Sequence, residues 1–175
     1  MEYWDIYDKD GHFTGRKKGK YEKWGEDEYH LATEGWIINS NKQILVQQRS
    51  NKCQLLPGMW ALTTGRIISG ENTREGCVRE FREELGIHID KDECKLVKSF
   101  MKNRLGMIWD IYFIRKDVNL DELVLQEEEV ARAKFVNTNE FRNMLKEGIM
   151  CEYEEIYELL DIIRSEERRV GKECK

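Results

Sequence analysis

The chain has 175 residues, a length that favours one domain, and its 29 Lys and Arg against 34 Asp and Glu give a formal net charge of −5. Hydrophobic residues make up 40% of the chain, which is enough for an ordinary core and excludes wholesale disorder. The acidic balance argues against binding to nucleic acid duplexes, and no apolar run approaches the roughly 20 residues that a membrane span needs.

The body of the chain alternates strand patterns with a few helix patterns. Runs rich in Ile and Val and bounded by turn signals predict strands, and the polar stretch over 15–30 predicts a loop. Strands interleaved with well-separated helices favour an α/β fold whose mixed sheet is flanked by helices. In chain order the predicted elements are two short strands around 4–13, strands at 31–39, 43–48 and 59–64, a helix at 72–85, strands at 95–102, 107–114 and 133–136, a helix from Thr138 to Gly148, and a last helix at about 151–163.

Residues 72–85 give the clearest helix pattern. Asn72 can cap the helix, with Glu75 reaching back three positions as a capping box. Gly86 follows the last turn, where a left-handed residue is expected. An apolar stripe at helical spacing is formed by Cys77, Val78, Phe81 and Leu85.

Three carboxylates share one face of this helix, because Glu80, Glu83 and Glu84 stand at positions i, i+3 and i+4. They repel one another unless a cation lies among them. The face is therefore either a solvated acidic patch or a site for a hard metal ion. Oxygen ligands suit Mg²⁺ or Mn²⁺, and an open site leaves coordination positions for substrate phosphates.

A loop precedes the helix and contains two glycines, Gly65 and Gly70. Glycine adopts backbone conformations that are closed to residues with a Cβ, and Gly65 would also let a main-chain carbonyl approach a metal. Glu71 stands just before the helix, and Arg79 lies two turns inside it. If the loop folds over the helix, Glu71 and Arg79 can pair and hold the loop in place.

The stretch 65–87 reads GRIISGENTREGCVREFREELGI and matches the Nudix box at every defined position. The matching positions are Gly65, Glu71, Arg79, Glu80, Glu83, Glu84, Gly86 and the apolar Ile87. The sequence therefore resembles the Nudix family. Segments outside the box, including WDIYDKDG, EYHLATEGWIIN and LLPGMWALTTG, resemble the branch that includes isopentenyl diphosphate isomerase.

The resemblance implies a single Nudix domain over 1–163, with a mixed sheet sandwiched between helices. It implies hydrolysis, dependent on Mg²⁺ or Mn²⁺, of a diphosphate linkage in a nucleoside diphosphate derivative or another small organic diphosphate. The implied roles are metal binding by Glu80, Glu83 and Glu84, orientation or deprotonation of the attacking water by Glu83 or Glu84, a structural pair of Glu71 and Arg79, and the box glycines Gly65, Gly70 and Gly86.

Two residues outside the box are further candidates. Arg49 follows a strand and would clamp a diphosphate bidentately, or it is an ordinary surface arginine. Asp110, on the predicted strand 107–114, would be a catalytic acid or base, or it faces solvent. The acidic run 127–129 favours a solvated turn over a metal contact, and His30 is expected to be structural.

The isomerase of the same branch is the main alternative. Its family uses a catalytic cysteine just before the first box glycine, where this chain has Thr64, and a hydroxyl does not readily replace a thiol in proton transfer. That family also binds a metal through three histidines, of which this chain keeps His30, with Lys23 and Arg66 at the other two positions. The family's later glutamate aligns with Asp110, a shorter acid. These departures favour a hydrolase.

A regulator that binds nucleotides without turnover is the other alternative, but such a protein need not retain all three carboxylates. The expected partner is a small-molecule diphosphate, with no nucleic acid duplex and no membrane, and a homodimer is common among similar proteins. Five cysteines without a C-x-x-C pair indicate a reduced, cytoplasmic protein.

The last segment, 164–175, contains RSEERRVGKEC and has one large apolar residue, Val170. It resembles the translation of a sequencing-adapter DNA. We therefore expect a disordered tail that is not native to the protein.

Overall fold

The structure is a computed structural model that describes residues 1–173. The chain divides into two compact units. The first contains residues 1–36 and 62–114, and the second contains residues 37–61 and the chain from Arg115 onward.

The first unit begins with an antiparallel ribbon of β1 (Tyr3–Tyr7) and β2 (Phe13–Gly19). The predicted loop over 15–30 is therefore wrong at its start, because β2 continues to Gly19. Tyr3 pairs with Gly19 and Ile6 pairs with Arg16 along the ribbon. Most side chains of β2 are polar and exposed, so the strand lacks the alternation of apolar residues that reveals strands in a sequence.

The remaining strands of the first unit lie in the order β6-β3-β8-β7. β3 pairs antiparallel with β6, and β7 pairs antiparallel with β8. The apolar residues of β3 are almost all buried, and those of β8 are buried over residues 111–114, as their continuous apolar runs predict. The bounds are His30–Ile38 for β3, Thr63–Arg66 for β6, Lys95–Lys102 for β7 and Met107–Arg115 for β8.

Helix α1 (Thr73–Leu85) confirms the predicted helix. Asn72 and Glu75 form the expected capping box, and Gly86 ends the helix in the left-handed conformation at φ 68°. Phe81 and Leu85 are buried, which fixes the orientation of the helix and of its neighbouring acidic face. The strand and helix that carry the box are thus held in one unit.

In the second unit β4 (Ile44–Arg49) pairs antiparallel with β5 (Trp60–Ala61) and β9 (Val130–Val136). The predicted strand 59–64 is two strands, because β5 pairs with β4 whereas β6 pairs with β3. Helices α2 (Thr138–Lys146) and α3 (Ile156–Glu173) complete the unit. Their buried residues are Phe141, Met144, Leu145, Ile156, Leu159, Leu160 and Ile163.

The last helix differs from the prediction at both ends. It begins at Ile156 because the preceding chain is extended, with Met150 bridged to Trp60. It continues beyond Ile163 as far as Glu173, whereas the disordered tail expected over 164–175 stays a prediction. Glu and Arg have high helix propensity, and Arg115 pairs with Glu166. These two factors explain why the helix continues although this segment has no apolar face. Residues 174 and 175 lie outside the described residues.

Mixed strands and helices confirm the predicted α/β class. None of the described helices combines the length and apolar character of a membrane-spanning segment. The single domain over 1–163 and the non-native origin of 164–175 stay predictions.

Candidate active site

Arg79 connects the box residues. Its Nε and Nη2 donate to the two carboxylate oxygens of Glu71 at 2.9 and 3.2 Å, and Nη2 also donates to the carbonyl of Arg66 at 3.0 Å. Its Nη1 donates to Glu80 Oε1 at 2.8 Å and to Glu83 Oε2 at 3.2 Å. All five N–H donors of a guanidinium are thus used. Burial alone would lower the pKa of Arg79, but the carboxylates of Glu71 and Glu80 outweigh it and raise that pKa.

Glu80 is the most enclosed carboxylate of the acidic face, with 13% of its side chain exposed. Burial raises the pKa of Glu80 to about 7, although the charge of Arg79 opposes the change. Gly65 lies directly against it, since a Cβ at residue 65 would come within 2.1 Å of the Glu80 carboxyl group. The strand β6 and the helix α1 therefore meet at the Glu80 carboxylate.

Glu83 and Glu84 lie on the same helix but nearer to solvent. The Glu83 side chain is 49% exposed, and Glu84 is of intermediate exposure. Among the described residues, the three glutamates do not bring their ligand atoms within 4.8 Å of one another. Mutual repulsion and the hold of Arg79 on Glu80 and Glu83 account for the wider spacing.

The loop before the helix is held from its outer side. Gly70 N–H donates to Asp5 Oδ2 at 3.1 Å, and Ser69 Oγ donates to Asp5 Oδ1 at 2.6 Å. Together with the Glu71–Arg79 pair, these bonds fix both ends of the loop to the first unit. Asp5 is a supporting residue that sequence reasoning missed, because nothing in its neighbourhood marks it out.

Asp110 is placed differently from the glutamates. Its two oxygens accept from Thr73 Oγ1 at 2.5 Å and Ser99 Oγ at 2.6 Å. Thr73 is the first residue of α1, and seven residues of helix separate it from Glu80, or about 10 Å along the axis. The structure thus brings Asp110 to the start of the helix, and its predicted catalytic role stays a prediction.

Arg49 ends β4 in the second unit, and its Nε donates to the carbonyl of Leu55 at 2.9 Å. Its predicted role as a diphosphate clamp stays a prediction. In the acidic run 127–129, Glu128 accepts from Lys52 Nζ at 2.9 Å. This exposed ion pair agrees with a solvated turn.

Asp8, Asp10 and His12 form an acidic group in which the ligand atoms do lie within 4.8 Å. The group lies in the exposed turn between β1 and β2. Asp8 Oδ1 accepts from the backbone N–H of Asp10 and of His12, both at 2.9 Å. These hydrogen bonds stabilise a tight turn, which explains why the three side chains lie close together.

The first unit also contains a cleft of about 490 Å³ that sequence reasoning did not find. Trp4, Trp24 and His30 line it together with Arg66 and Arg104. The contributing segments are far apart in sequence, so no local motif could reveal it. Arg66 follows Gly65 directly, and the cleft thus adjoins the box.

The box residues fit a hard divalent cation. Arg79 uses one oxygen each of Glu80 and Glu83, which leaves the other oxygen of each without a hydrogen bond within the described chain. The raised pKa of Glu80 shows that Arg79 alone does not fully stabilise its charge against burial. A set of carboxylate oxygens suits Mg²⁺ or Mn²⁺.

Comparisons with known proteins agree with the box. A family model described as NUDIX domain matches residues 28–159. An uncharacterized Nudix hydrolase of Listeria monocytogenes is 35% identical over 154 residues, which cover 87% of this chain and 90% of that protein. An isopentenyl-diphosphate Delta-isomerase of Salmonella heidelberg is 39% identical over 61 residues, or 34% of each chain.

Solved structures show the same fold. A crystal structure of a protein from Deinococcus radiodurans superposes with a TM-score of 0.74 at 19% identity, covering 93% of this chain and 99% of that one. The predicted Nudix fold is therefore confirmed, and so is the resemblance drawn from the box. The chain belongs to the Nudix hydrolase family, whose members are enzymes that act on pyrophosphate bonds and generally use a divalent metal.

Proposed function

We propose that the protein hydrolyses a diphosphate linkage in a nucleoside diphosphate derivative or another small organic diphosphate, using Mg²⁺ or Mn²⁺ bound by Glu80, Glu83 and Glu84. The observation that carries the proposal is the Arg79 network. One guanidinium holds Glu71, Glu80 and Glu83 and the end of β6 together. Partly burying several charged groups costs free energy, so this arrangement is expected where the carboxylates have a function.

The chain's own residues divide the work. Glu80 is enclosed and fixed, so it anchors the cation. Glu83 and Glu84 lie closer to solvent, and we assign to them the orientation of the attacking water and the acceptance of its proton. A divalent cation bound there would neutralise the diphosphate and lower the pKa of water. Arg79 keeps the three box carboxylates that it binds, Glu71, Glu80 and Glu83, at fixed positions through the reaction.

The test is a hydrolysis screen of purified protein, with and without Mg²⁺, over dinucleoside polyphosphates, nucleotide sugars, oxidised nucleotides and prenyl diphosphates. We expect turnover of at least one class, lost on chelation of the metal and in Glu83→Gln and Glu84→Gln. Glu147→Gln, an exposed residue at the end of α2, is the matched control and should be fully active. Wild-type turnover in both site variants would refute the assigned roles.

The isomerase alternative draws support from the 61-residue match to the Salmonella enzyme. Thr64 stands at the position of the family's cysteine, and Asp110 is held by Thr73 and Ser99. Incubation with isopentenyl diphosphate, followed by chromatography, separates the functions. Dimethylallyl diphosphate as product would favour the isomerase, whereas release of inorganic phosphate or pyrophosphate would favour the hydrolase.

A nucleotide-binding regulator would behave differently again. Calorimetric binding of a nucleotide, without any product after long incubation across the whole panel, would favour that alternative.

A homodimer, the predicted assembly, is tested by light scattering on the same preparation.

A further inference from the structure

The cleft of the first unit is defined here by Trp4, Trp24, His30, Arg66 and Arg104, and we call it the Arg66 cleft. Arg66 is in its wall, and more than one third of this residue is exposed, so a ligand from solvent can reach it. Its guanidinium stacks on the Trp4 ring, with the carbon Cζ 4.5 Å from the ring centroid. A stacked guanidinium keeps its in-plane N–H groups available for a ligand.

The charges that line the cleft are predominantly positive. Lys20, Arg66 and Arg104 contribute cations, and none of them has an ion pair with any residue that the structure describes. Of the two lining acids, Glu28 is neutralised by Arg16 and Lys18, which leaves Glu26. A concave surface with an excess of cations focuses the potential and attracts anions.

A buried indole N–H group of a cleft residue is a second indication of a ligand. The indole N–H of Trp24 is buried and donates to no acceptor within the described chain. A buried donor without an acceptor costs free energy, and it is normally found where a ligand or water supplies the acceptor. Burial and the charge of Arg66 lower the pKa of His30 to about 4, so this ring is neutral and adds no competing cation.

The Arg66 cleft and the box are joined by the backbone of β6. The carbonyl of Arg66 accepts from Arg79 Nη2 at 3.0 Å, and the Cβ direction of Gly65 points at the Glu80 carboxyl group. Successive side chains of a strand point to opposite faces, so the Arg66 side chain leaves β6 on the other face from Glu80. An extended anionic ligand would reach both sites by passing the end of β6, where Arg66 is the last residue.

We propose that the Arg66 cleft binds a phosphoryl group of the substrate, with Arg66 as the charged anchor and the Trp24 indole N–H as a second donor. This inference rests on the proposed hydrolase function and adds a specificity-determining site to it. A phosphoryl group fits better than an aromatic base, because the Trp4 face is covered by Arg66 and Lys18 Nζ stands 5.7 Å from the Trp24 ring. The substrate class is therefore one in which phosphoryl oxygens extend beyond the metal site.

The test is calorimetric titration of the full chain with inorganic pyrophosphate and with inorganic phosphate, in chelator and at constant ionic strength. Excluding metal removes binding through the glutamates, so the difference between wild type and the cleft variants reports the cleft. We expect pyrophosphate binding to weaken about tenfold or more in Arg66→Gln and to be partly kept in Arg66→Lys, because a lysine keeps the charge but lacks the planar fork. Trp24→Phe should weaken binding to a smaller extent.

Arg132→Gln is the matched control. Arg132 also lies over a tryptophan, with Cζ 5.3 Å from the Trp60 ring centroid, and it does not line the cleft. Its loss should leave pyrophosphate affinity unchanged. Circular dichroism confirms folding of each variant, and Trp24→Phe supplies an independent readout if Arg66→Gln does not fold.

The outcomes separate this inference from the proposed function. If pyrophosphate binds without metal in a manner that depends on Arg66, but no diphosphate is hydrolysed, phosphoryl binding by the cleft is supported and the hydrolase proposal is refuted. Metal-dependent hydrolysis with equal pyrophosphate affinity in wild type and Arg66→Gln refutes the cleft. Absence of metal-free binding to the wild type also refutes it.

Discussion

Gly65 and Glu80 lie so close together that no larger residue fits at position 65. A Cβ there would be 2.1 Å from both Cδ and Oε1 of Glu80, closer than any real contact. The Glu80 side chain is 13% exposed and is held by Arg79, so it cannot move aside without losing that bond. The glycine thus determines where the carboxylate stands.

Gly65→Ala should therefore displace Glu80 and reduce metal-dependent hydrolysis by at least about tenfold, the effect of losing one good ligand or charged hydrogen bond. Overpacking should also lower the free energy of unfolding by about 1–3 kcal/mol. Urea unfolding and a metal titration of the activity measure both effects. Gly19→Ala is the control, since its nearest contacts are flexible side chains at 3.2 Å and beyond. An active Gly65→Ala variant would show that Glu80 has no fixed position.

Arg79→Lys keeps the positive charge but replaces a planar fork by one ammonium group. A lysine cannot reach the five acceptors that Arg79 binds on Glu71, Glu80, Glu83 and Arg66. We expect a loss of about 3 kcal/mol in the free energy of unfolding, because partly buried carboxylates lose their partner. Arg82→Lys, on the exposed side of the same helix, should be neutral. Equal stability of both variants would contradict the central place of Arg79.

Much of this architecture is readable in the sequence because the signals are local. The capping box of Asn72 and Glu75 and the stripe ending at Leu85 predicted α1 with nearly the bounds that the structure shows. The spacing of the box residues also identifies the family. Burial of one helix face and capping at both ends are properties of a short segment, so they require no knowledge of the rest of the chain.

The features that the sequence could not reveal depend on distant segments. β2 is a strand only because β1 pairs with it, and α3 extends to Glu173 on helix propensity and a contact with Arg115. The Arg66 cleft is assembled from four separate stretches around Trp4, Trp24, Arg66 and Arg104. Asp110 looked like a catalytic acid because the sequence does not tell which hydroxyl groups its side chain meets.

Asp110→Asn tests whether that residue is catalytic or structural. Both of its oxygens accept hydroxyl hydrogen bonds, from Thr73 and Ser99, and an amide nitrogen cannot accept. We expect the free energy of unfolding to fall by about 1–2 kcal/mol, while turnover stays close to that of the wild type. Asp121→Asn, at an exposed position, is the control for the loss of a carboxylate. A loss of turnover as large as that of Glu83→Gln, without loss of stability, would restore the catalytic role.

His30 should make the stability of the protein sensitive to mild acid. Its ring is packed against Trp4 and Trp24, with centroids 5.0 and 5.3 Å away, and the residue is 4% exposed. Burial and the nearby charge of Arg66 lower the pKa of His30 to about 4 from an ordinary value of 6.5. The unfolded chain therefore takes up a proton first as the pH falls, and stability is lost between about pH 6.5 and 4, by up to about 3 kcal/mol.

His30→Phe keeps an aromatic ring between the two tryptophans and removes the proton uptake. Urea unfolding at about pH 7 and about pH 4.5 should show a smaller loss of stability on acidification in this variant than in the wild type. His88→Phe, at an exposed position outside the Arg66 cleft, is the matched control and should retain the wild-type dependence. Carboxylates elsewhere contribute equally to all three proteins, so the difference between variants isolates His30. An identical loss in wild type and His30→Phe would mean that folding does not lower the pKa of His30, and would contradict this prediction.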